Sequence, residues 1–91
     1  MKQPTLKIYT RSFCGDCQSL KQFLKDHQVS FQQFELDHDS EKEEEMKALT
    51  GNRIVPTLVF TSSRLFKKKT EILTGFEQNK ETIKKLLGID E

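Results

Sequence analysis

The sequence predicts an α/β fold in the order β-α-β-α-β-β-α, with a mixed four-stranded sheet and helices on both faces. Three observations predict it. A β-prone run at residues 5–10 passes through a short loop into helical spacing that starts at Cys14. A second strand-like run and a second helix repeat that order, so the first half reads as two β-α steps. The second half reads as a hairpin followed by an amphipathic helix. No internal repeat, low-complexity linker or composition break divides the 91 residues, so 1–91 is expected to be one domain with one modest core.

In the first run Leu6, Ile8 and the apolar body of Tyr9 sit among Thr5, Lys7 and Thr10, and the strand ends at Arg11-Ser12-Phe13. From Cys14 to about position 27, Cys17, Leu20, Phe23 and Leu24 recur at helical spacing while Gln18, Lys21, Gln22 and Lys25 stay in water. Residues 29–36 return to strand character, with Val29, Phe31, Phe34 and Leu36 interrupted by Gln32-Gln33.

Ser40 followed three residues later by Glu43 makes a capping-box pattern, and the glutamates of the first turn suit the helix dipole. Gly51 stands where a C-terminal stop belongs, which predicts a second helix of about ten residues. Pro56 precedes a strand run at 57–61, a polar tip covers 62–69, and Thr70-Glu71-Ile72-Leu73 returns as the antiparallel partner. Asn79 is the expected N-cap of a last helix whose stripe is Ile83, Leu86 and Leu87, ended by Gly88.

Composition narrows the partners. Fifteen Lys and Arg face 14 Asp and Glu, a net charge of +1, so the surface has no general attraction for nucleic acid or an anionic membrane. The N-terminus runs into the first strand without the apolar stretch of a secretory signal, and no apolar run approaches bilayer-spanning length. A soluble cytoplasmic protein is expected. In that reducing compartment a Cys-x-x-Cys closes too small a loop to serve as a staple, so the pair reacts or binds metal.

Cys14 and Cys17 are the only cysteines of the chain. At i,i+3 on a helix their Cβ atoms stand about 5 to 6 Å apart, near the spacing of a disulfide. The thiolate is the attacking species, and the N–H groups and dipole of a helix start help Cys14 more directly than Cys17. Cys14 is therefore expected to attack a substrate disulfide, and Cys17 to resolve the mixed disulfide. Gly15 lets a bulky partner approach, whereas Asp16 suits a helix start but opposes a nearby thiolate. Arg11 is a candidate for favouring that thiolate or holding an anionic substrate group, against the plainer part of a solvated loop arginine. Phe13 is a candidate apolar contact for a partner protein, against ordinary packing at the helix entrance.

A strand, Cys-x-x-Cys at a helix start, Ile54-Val55-Pro56-Thr57 before a strand and Thr74-Gly75-Phe76 before the last helix occur together over essentially the whole chain. In this combination the chain resembles the glutaredoxin branch of the thioredoxin-like superfamily. The resemblance implies a thioredoxin-like, glutaredoxin-type fold. It also implies a cis peptide before Pro56 beside the thiols, and Val55 main chain that pairs with extended substrate by strand addition. Taken by itself, Pro56 reads as a trans proline opening an edge strand.

Glutaredoxins proper hold glutathione with a basic residue before the cysteines, the Val-Pro backbone and a Gly-Gly turn followed by acidic residues. Arg11 and Val55-Pro56 match that pattern, but Thr74 replaces the first glycine and Glu77-Gln78 stand where an Asp pair is usual. The Thr74-Gly75-Phe76 turn is closer to the glutaredoxin-like redoxins that donate electrons to ribonucleotide reductase and are reduced by thioredoxin reductase. The Arg-Pro that follows the Phe in those proteins is absent here, and Gly15-Asp16 matches none of the usual middle pairs.

The remaining features have plainer explanations. Glu41, Glu43, Glu44 and Glu45 read as a solvated helix start, and Arg64 with Lys67-Lys68-Lys69 as a charged hairpin tip. His27 and His38 lack zinc-finger spacing to the cysteines. Phe23, Phe31, Phe34, Phe60 and Phe66 fall mostly at element positions, which favours core over base stacking.

The sequence thus points to a dithiol thiol–disulfide oxidoreductase that transfers electrons to disulfides, with Cys14 and Cys17 catalytic. Arg11, Phe13, Val55, Pro56, Gly75 and Phe76 are expected to bind substrate. The expected partners are a disulfide-containing protein and a reductase such as thioredoxin reductase, or glutathione, acting on a monomer with no cofactor beyond its own disulfide. A glutathione-dependent glutaredoxin is the alternative enzyme, and a metal-binding or adaptor domain on the same scaffold is the non-enzymatic one.

Overall fold

The computed structural model describes residues 4–64 and 67–89. Its elements are β1 (Thr5–Thr10), α1 (Gly15–Asp26), β2 (Gln32–Glu35), α2 (Ser40–Thr50), β3 (Thr57–Arg64), β4 (Lys67–Thr74), a 3-10 turn at Glu77–Asn79 and α3 (Lys80–Leu87). The strands lie in the order β2-β1-β3-β4, with β1 parallel to β2 and antiparallel to β3, and β3 antiparallel to β4. This is the expected mixed sheet of a thioredoxin-like fold.

Strand alternation decides what each face buries. Leu6, Ile8, Leu58 and Phe60 point to one side, where Leu20, Phe23 and Leu24 of α1 and Ile83 and Leu87 of α3 cover them. Tyr9 and Val59 point to the other side, where Met46 of α2 and Leu36 close a smaller cluster with Phe34 and Val55. The buried Tyr9 hydroxyl reaches that helix by donating to Glu45 Oε1 at 2.8 Å. Burial, then this bond to a carboxylate, pushes the phenol up to about 12.

Several elements differ from their sequence expectations, each for a local reason. Strand β2 covers four residues instead of 29–36, because the Val29 N–H closes the end of α1 on Leu24 O at 2.8 Å and is unavailable to a ladder. Val29 and Leu36 are nevertheless buried in the core. The expected tip at 62–69 is mostly strand, with Ser62 opposite Lys69 and Ser63 opposite Lys68. Main-chain pairing in a two-stranded ribbon needs no apolar side chains, so polarity concealed it. Leu65 and Phe66 lie outside the described residues.

Helix α2 is capped by Asp39, whose side chain accepts the Lys42 N–H at 3.1 Å, and Ser40 is already helical. The Asp39 N–H bonds Leu36 O at 3.3 Å, a turn that aims the Asp39 carbonyl at Glu43 N and starts the helix one residue early. Glu43 cannot close a capping box because its carboxylate takes Arg11 at 3.0 Å and Arg53 at 3.5 Å. Gly51 ends the helix as expected, with φ at 78° in the left-handed region that glycine adopts at little cost.

Asn79 precedes α3 but makes no side-chain cap. Its amide instead donates backward to Thr74 O at 2.7 Å and Gly75 O at 3.0 Å, bracing the turn after β4. Replacing Asp39 with Ala is expected to lower unfolding free energy by about 1 kcal/mol, while Ser40→Ala changes it by less than half of that. Urea denaturation of the two variants checks this, and the reverse ranking would place the cap at Ser40.

Candidate functional site

Register brings three chain segments to one edge of the sheet. Tyr9 near the end of β1 pairs with Thr57 at the start of β3, and Thr57 pairs with Thr74 at the end of β4. The loop into α1, the loop into β3 and the turn out of β4 therefore meet there.

The dithiol occupies the first of these. Cys14 is the N-cap of α1, with extended backbone, and its Sγ accepts the Cys17 N–H at 3.1 Å. A sulfur in the capping position takes up a donor that the helix start leaves without an internal partner. The pair is joined as a disulfide with a Cα–Cα distance of 5.2 Å. Cys17 is completely buried, whereas Cys14 remains partly exposed.

The second segment lies against the first. The Val55–Pro56 peptide is cis, and the Val55 carbonyl oxygen lies 4.0 Å from Cys14 Sγ. Thr57, fully buried, donates its hydroxyl to Ile54 O at 2.8 Å, and the Ile54 N–H donates to Asn52 Oδ1 at 2.9 Å. These bonds hold the loop in place while the Ile54 side chain stays exposed.

The third segment locks onto the other two. The Gly75 N–H donates to Pro56 O at 2.8 Å. The Phe76 N–H donates to Asp16 Oδ2 at 2.7 Å, and the Glu77 N–H to Asp16 Oδ1 at 3.3 Å. Gly75 has φ at 94°, a left-handed backbone that side chains rarely adopt, so the turn favours glycine there.

Of the residues singled out from sequence, Cys14, Cys17, Val55, Pro56 and Gly75 come together at this edge. The Phe76 ring is buried and packs on Phe23 at 5.3 Å, so only its main chain reaches the site. Phe13 is fully exposed immediately before Cys14. Arg11 is paired with Glu43 of α2.

Asp16 was legible only as a charge near the thiols. Its partners lie sixty positions away, and no local pattern predicts such a bond. Among the described residues no three His, Cys, Asp or Glu side chains gather closely enough to hold a metal ion, and no helix is long and apolar enough to cross a membrane.

A disulfide that caps a helix, with one of its cysteines partly exposed, makes this chain a dithiol thiol–disulfide oxidoreductase of the thioredoxin-like class. The sequence pattern of the glutaredoxin family matches residues 6–64, and the chain belongs to that family. Among its relatives is a provisionally assigned glutaredoxin of Mycobacterium tuberculosis, 36% identical over 56 residues, 60% of this chain and 67% of the relative.

Solved structures share the fold. A thioredoxin-like protein superposes with a TM-score of 0.71 at 24% identity, covering 91% of this chain and 100% of that one. A glutaredoxin from Archaeoglobus fulgidus gives 0.66 at 24% identity, over 91% and 85% of the two chains. A buckwheat glutaredoxin in complex with glutathione gives 0.66 at 21% identity, over 94% and 76%.

The loop carrying Phe13 is tethered beside the dithiol. The Ser12 N–H points at both Asp37 carboxylate oxygens, at 3.4 and 3.3 Å, and the Ser12 hydroxyl bonds Glu35 Oε1 at 3.2 Å. Hydrogen bonding from Ser12 is the main reason the Asp37 carboxyl lies below its ordinary value. A lowered carboxyl stabilises the fold above the unfolded value of about 3.9, and that contribution is lost as pH falls through the lower folded value. In Ser12→Ala the Asp37 carboxyl is expected to titrate closer to the ordinary value. An NMR pH titration reads this directly, and an unchanged midpoint would remove the Ser12 hydroxyl as the cause, since the variant keeps the main-chain N–H.

Proposed function

We propose that Cys14 is the nucleophile and Cys17 the resolving thiol in the reduction of protein disulfides. In the reduced protein the Cys14 thiolate attacks one sulfur of the client, whose other sulfur leaves as a thiolate and takes a proton. The Cys17 thiolate then attacks Cys14 Sγ, expels the second client thiolate and closes the Cys14–Cys17 disulfide. Two electrons and two protons pass to the client in each cycle. The observation that carries this assignment is the inequality of the sulfurs: Cys14 is partly exposed at the cap, and Cys17 is buried one turn behind it.

Val55 and Pro56 form the wall along which an extended client segment lies, adding its main chain to that of Val55. Exposed Phe13 and Ile54 flank the mouth and suit the apolar rim of a folded client better than a small hydrophilic thiol. Gly75 and the Phe76 main chain support the wall from behind through Pro56 and Asp16. Arg11 acts through its pairing with Glu43, which sets the loop that enters the dithiol helix.

The reading extends to a cytoplasmic, monomeric, single-domain enzyme whose oxidised form is recycled by a flavoprotein reductase of the thioredoxin reductase type. Glutathione, bound by the buckwheat relative, is the competing reductant. The turn sequence Thr74-Gly75-Phe76 and the occupation of its N–H groups by Asp16 favour the reductase. NADPH oxidation coupled to insulin reduction separates the two, and activity with glutathione alone would reverse the choice.

Cys17→Ser is expected to lose at least about 100-fold in turnover and to accumulate a mixed disulfide with the client through Cys14, visible by mass spectrometry; Cys14→Ser is expected to accumulate none. Turnover of Cys17→Ser at the parental rate would exclude the two-thiol cycle. Phe13→Ala is expected to raise KM for insulin several-fold with little change in kcat, the signature of a lost contact common to ground and transition states. A fall in kcat at constant KM would assign Phe13 a different role.

A further inference from the structure

The bond exchange at the dithiol uses both sulfurs and involves no atom of Asp16, which lies between the two cysteines in the sequence. Both oxygens of Asp16 are engaged, Oδ2 by the Phe76 N–H at 2.7 Å and Oδ1 by the Glu77 N–H at 3.3 Å. These are consecutive main-chain donors at the entry to the 3-10 turn, where N–H groups have no partner inside the turn itself. The preceding N–H, of Gly75, is taken by Pro56 O. All three donors of the turn are therefore satisfied by the chain itself, two of them by a carboxylate placed two residues after Cys14.

Two adjacent N–H groups converging on the two oxygens of one carboxylate are a carboxylate-recognition geometry. We propose that Asp16 is a specificity-determining residue: by filling this donor pair with its own carboxylate, it turns away disulfides that carry a free carboxylate close to the sulfur. The inference rests on the disulfide-reductase reading above and names the class of disulfide which that site excludes.

The competition favours the resident group. Asp16 is tethered, so it meets the donor pair at an effective concentration of about millimolar or higher, with no loss of overall freedom. An incoming carboxylate must break charge-assisted hydrogen bonds and then sit beside the negative charge it displaced. A disulfide within a folded protein meets no such penalty, since it engages the Val55 main chain and the exposed Phe13 ring and asks nothing of the donor pair.

The test uses two small disulfides that differ only in their carboxylates: glutathione disulfide and its tetraethyl ester. Each is mixed with reduced protein, and alkylation with mass spectrometry follows the single turnover. The Cys14–Cys17 dithiol gives two electrons and two protons and becomes the disulfide, while the small disulfide becomes two thiols. The wild-type protein is expected to react with the free acid no faster than with the ester. A wild-type preference for the free acid of about tenfold or more would overturn the proposal without any variant.

In Asp16→Ala the acid-to-ester rate ratio is expected to rise about tenfold, and the rise to persist in about 1 M salt, where screening reaches about 3 Å. A purely structural role for Asp16 would slow both substrates alike, so an unmoved ratio overturns the proposal. A rise that vanishes in salt does the same, because it would report general charge instead of an occupied site. Asp16→Asn keeps an oxygen for the Phe76 N–H and is expected to give a smaller rise; a rise equal to that of Asp16→Ala would overturn occupancy as the cause. Insulin reduction by the wild-type protein, measured alongside, isolates the underlying reading. Its absence would refute disulfide reduction, whereas its presence with an unmoved ratio would refute only the part given to Asp16.

Discussion

Three consecutive main-chain N–H groups, of Gly75, Phe76 and Glu77, hold the surroundings of the dithiol together. One binds the carbonyl of Pro56 and the other two bind the carboxylate of Asp16. Without them the cis-proline loop and the helix carrying the cysteines would be held by sheet register and by the packing of Leu20, Phe23 and Leu24 on Leu58 and Phe60. With them, a turn that bears no reactive group ties both directly to the end of β4. Gly75 makes this workable, because the turn holds its backbone in the left-handed region that side chains rarely adopt.

The two sulfurs have the same chemistry and unequal places. A helix start draws the first cysteine to its edge as a cap and places the second on the inner face of the first turn, among the core side chains. The Cys17 N–H donates back to Cys14 Sγ at the cap. Partial exposure and the cap hydrogen bond coincide at Cys14 because both follow from its position at the helix boundary.

Much of this was legible in the sequence, because the controlling signals were local. Alternation in β1, the 3.6-residue spacing of Leu20, Phe23 and Leu24, and the glycine stops at 51 and 88 all act over a few residues. The misplacements arose where a neighbour in space competed for a group that local rules had assigned. Glu43 was drawn to Arg11 and Arg53 instead of closing a box with Ser40. Asn79 turned back to Thr74 and Gly75 instead of capping forward. The Val29 N–H went to the end of α1 instead of into β2. Polar arms of the hairpin paired through their main chain, which side-chain patterning does not register.

By itself the sequence determined the order of elements, which faces they bury and that two thiols stand one turn apart at a helix start, since these depend on chain geometry within a few residues. Only the tertiary structure decided what surrounds those thiols. Antiparallel register carried Thr57 and Thr74 to the end of β1, and that proximity gave Asp16 its main-chain donors sixty positions along the chain. The donors of these hydrogen bonds are backbone N–H groups, which every residue but proline carries, so the side chains of Phe76 and Glu77 cannot announce them. They become visible once folding has chosen which backbone groups meet.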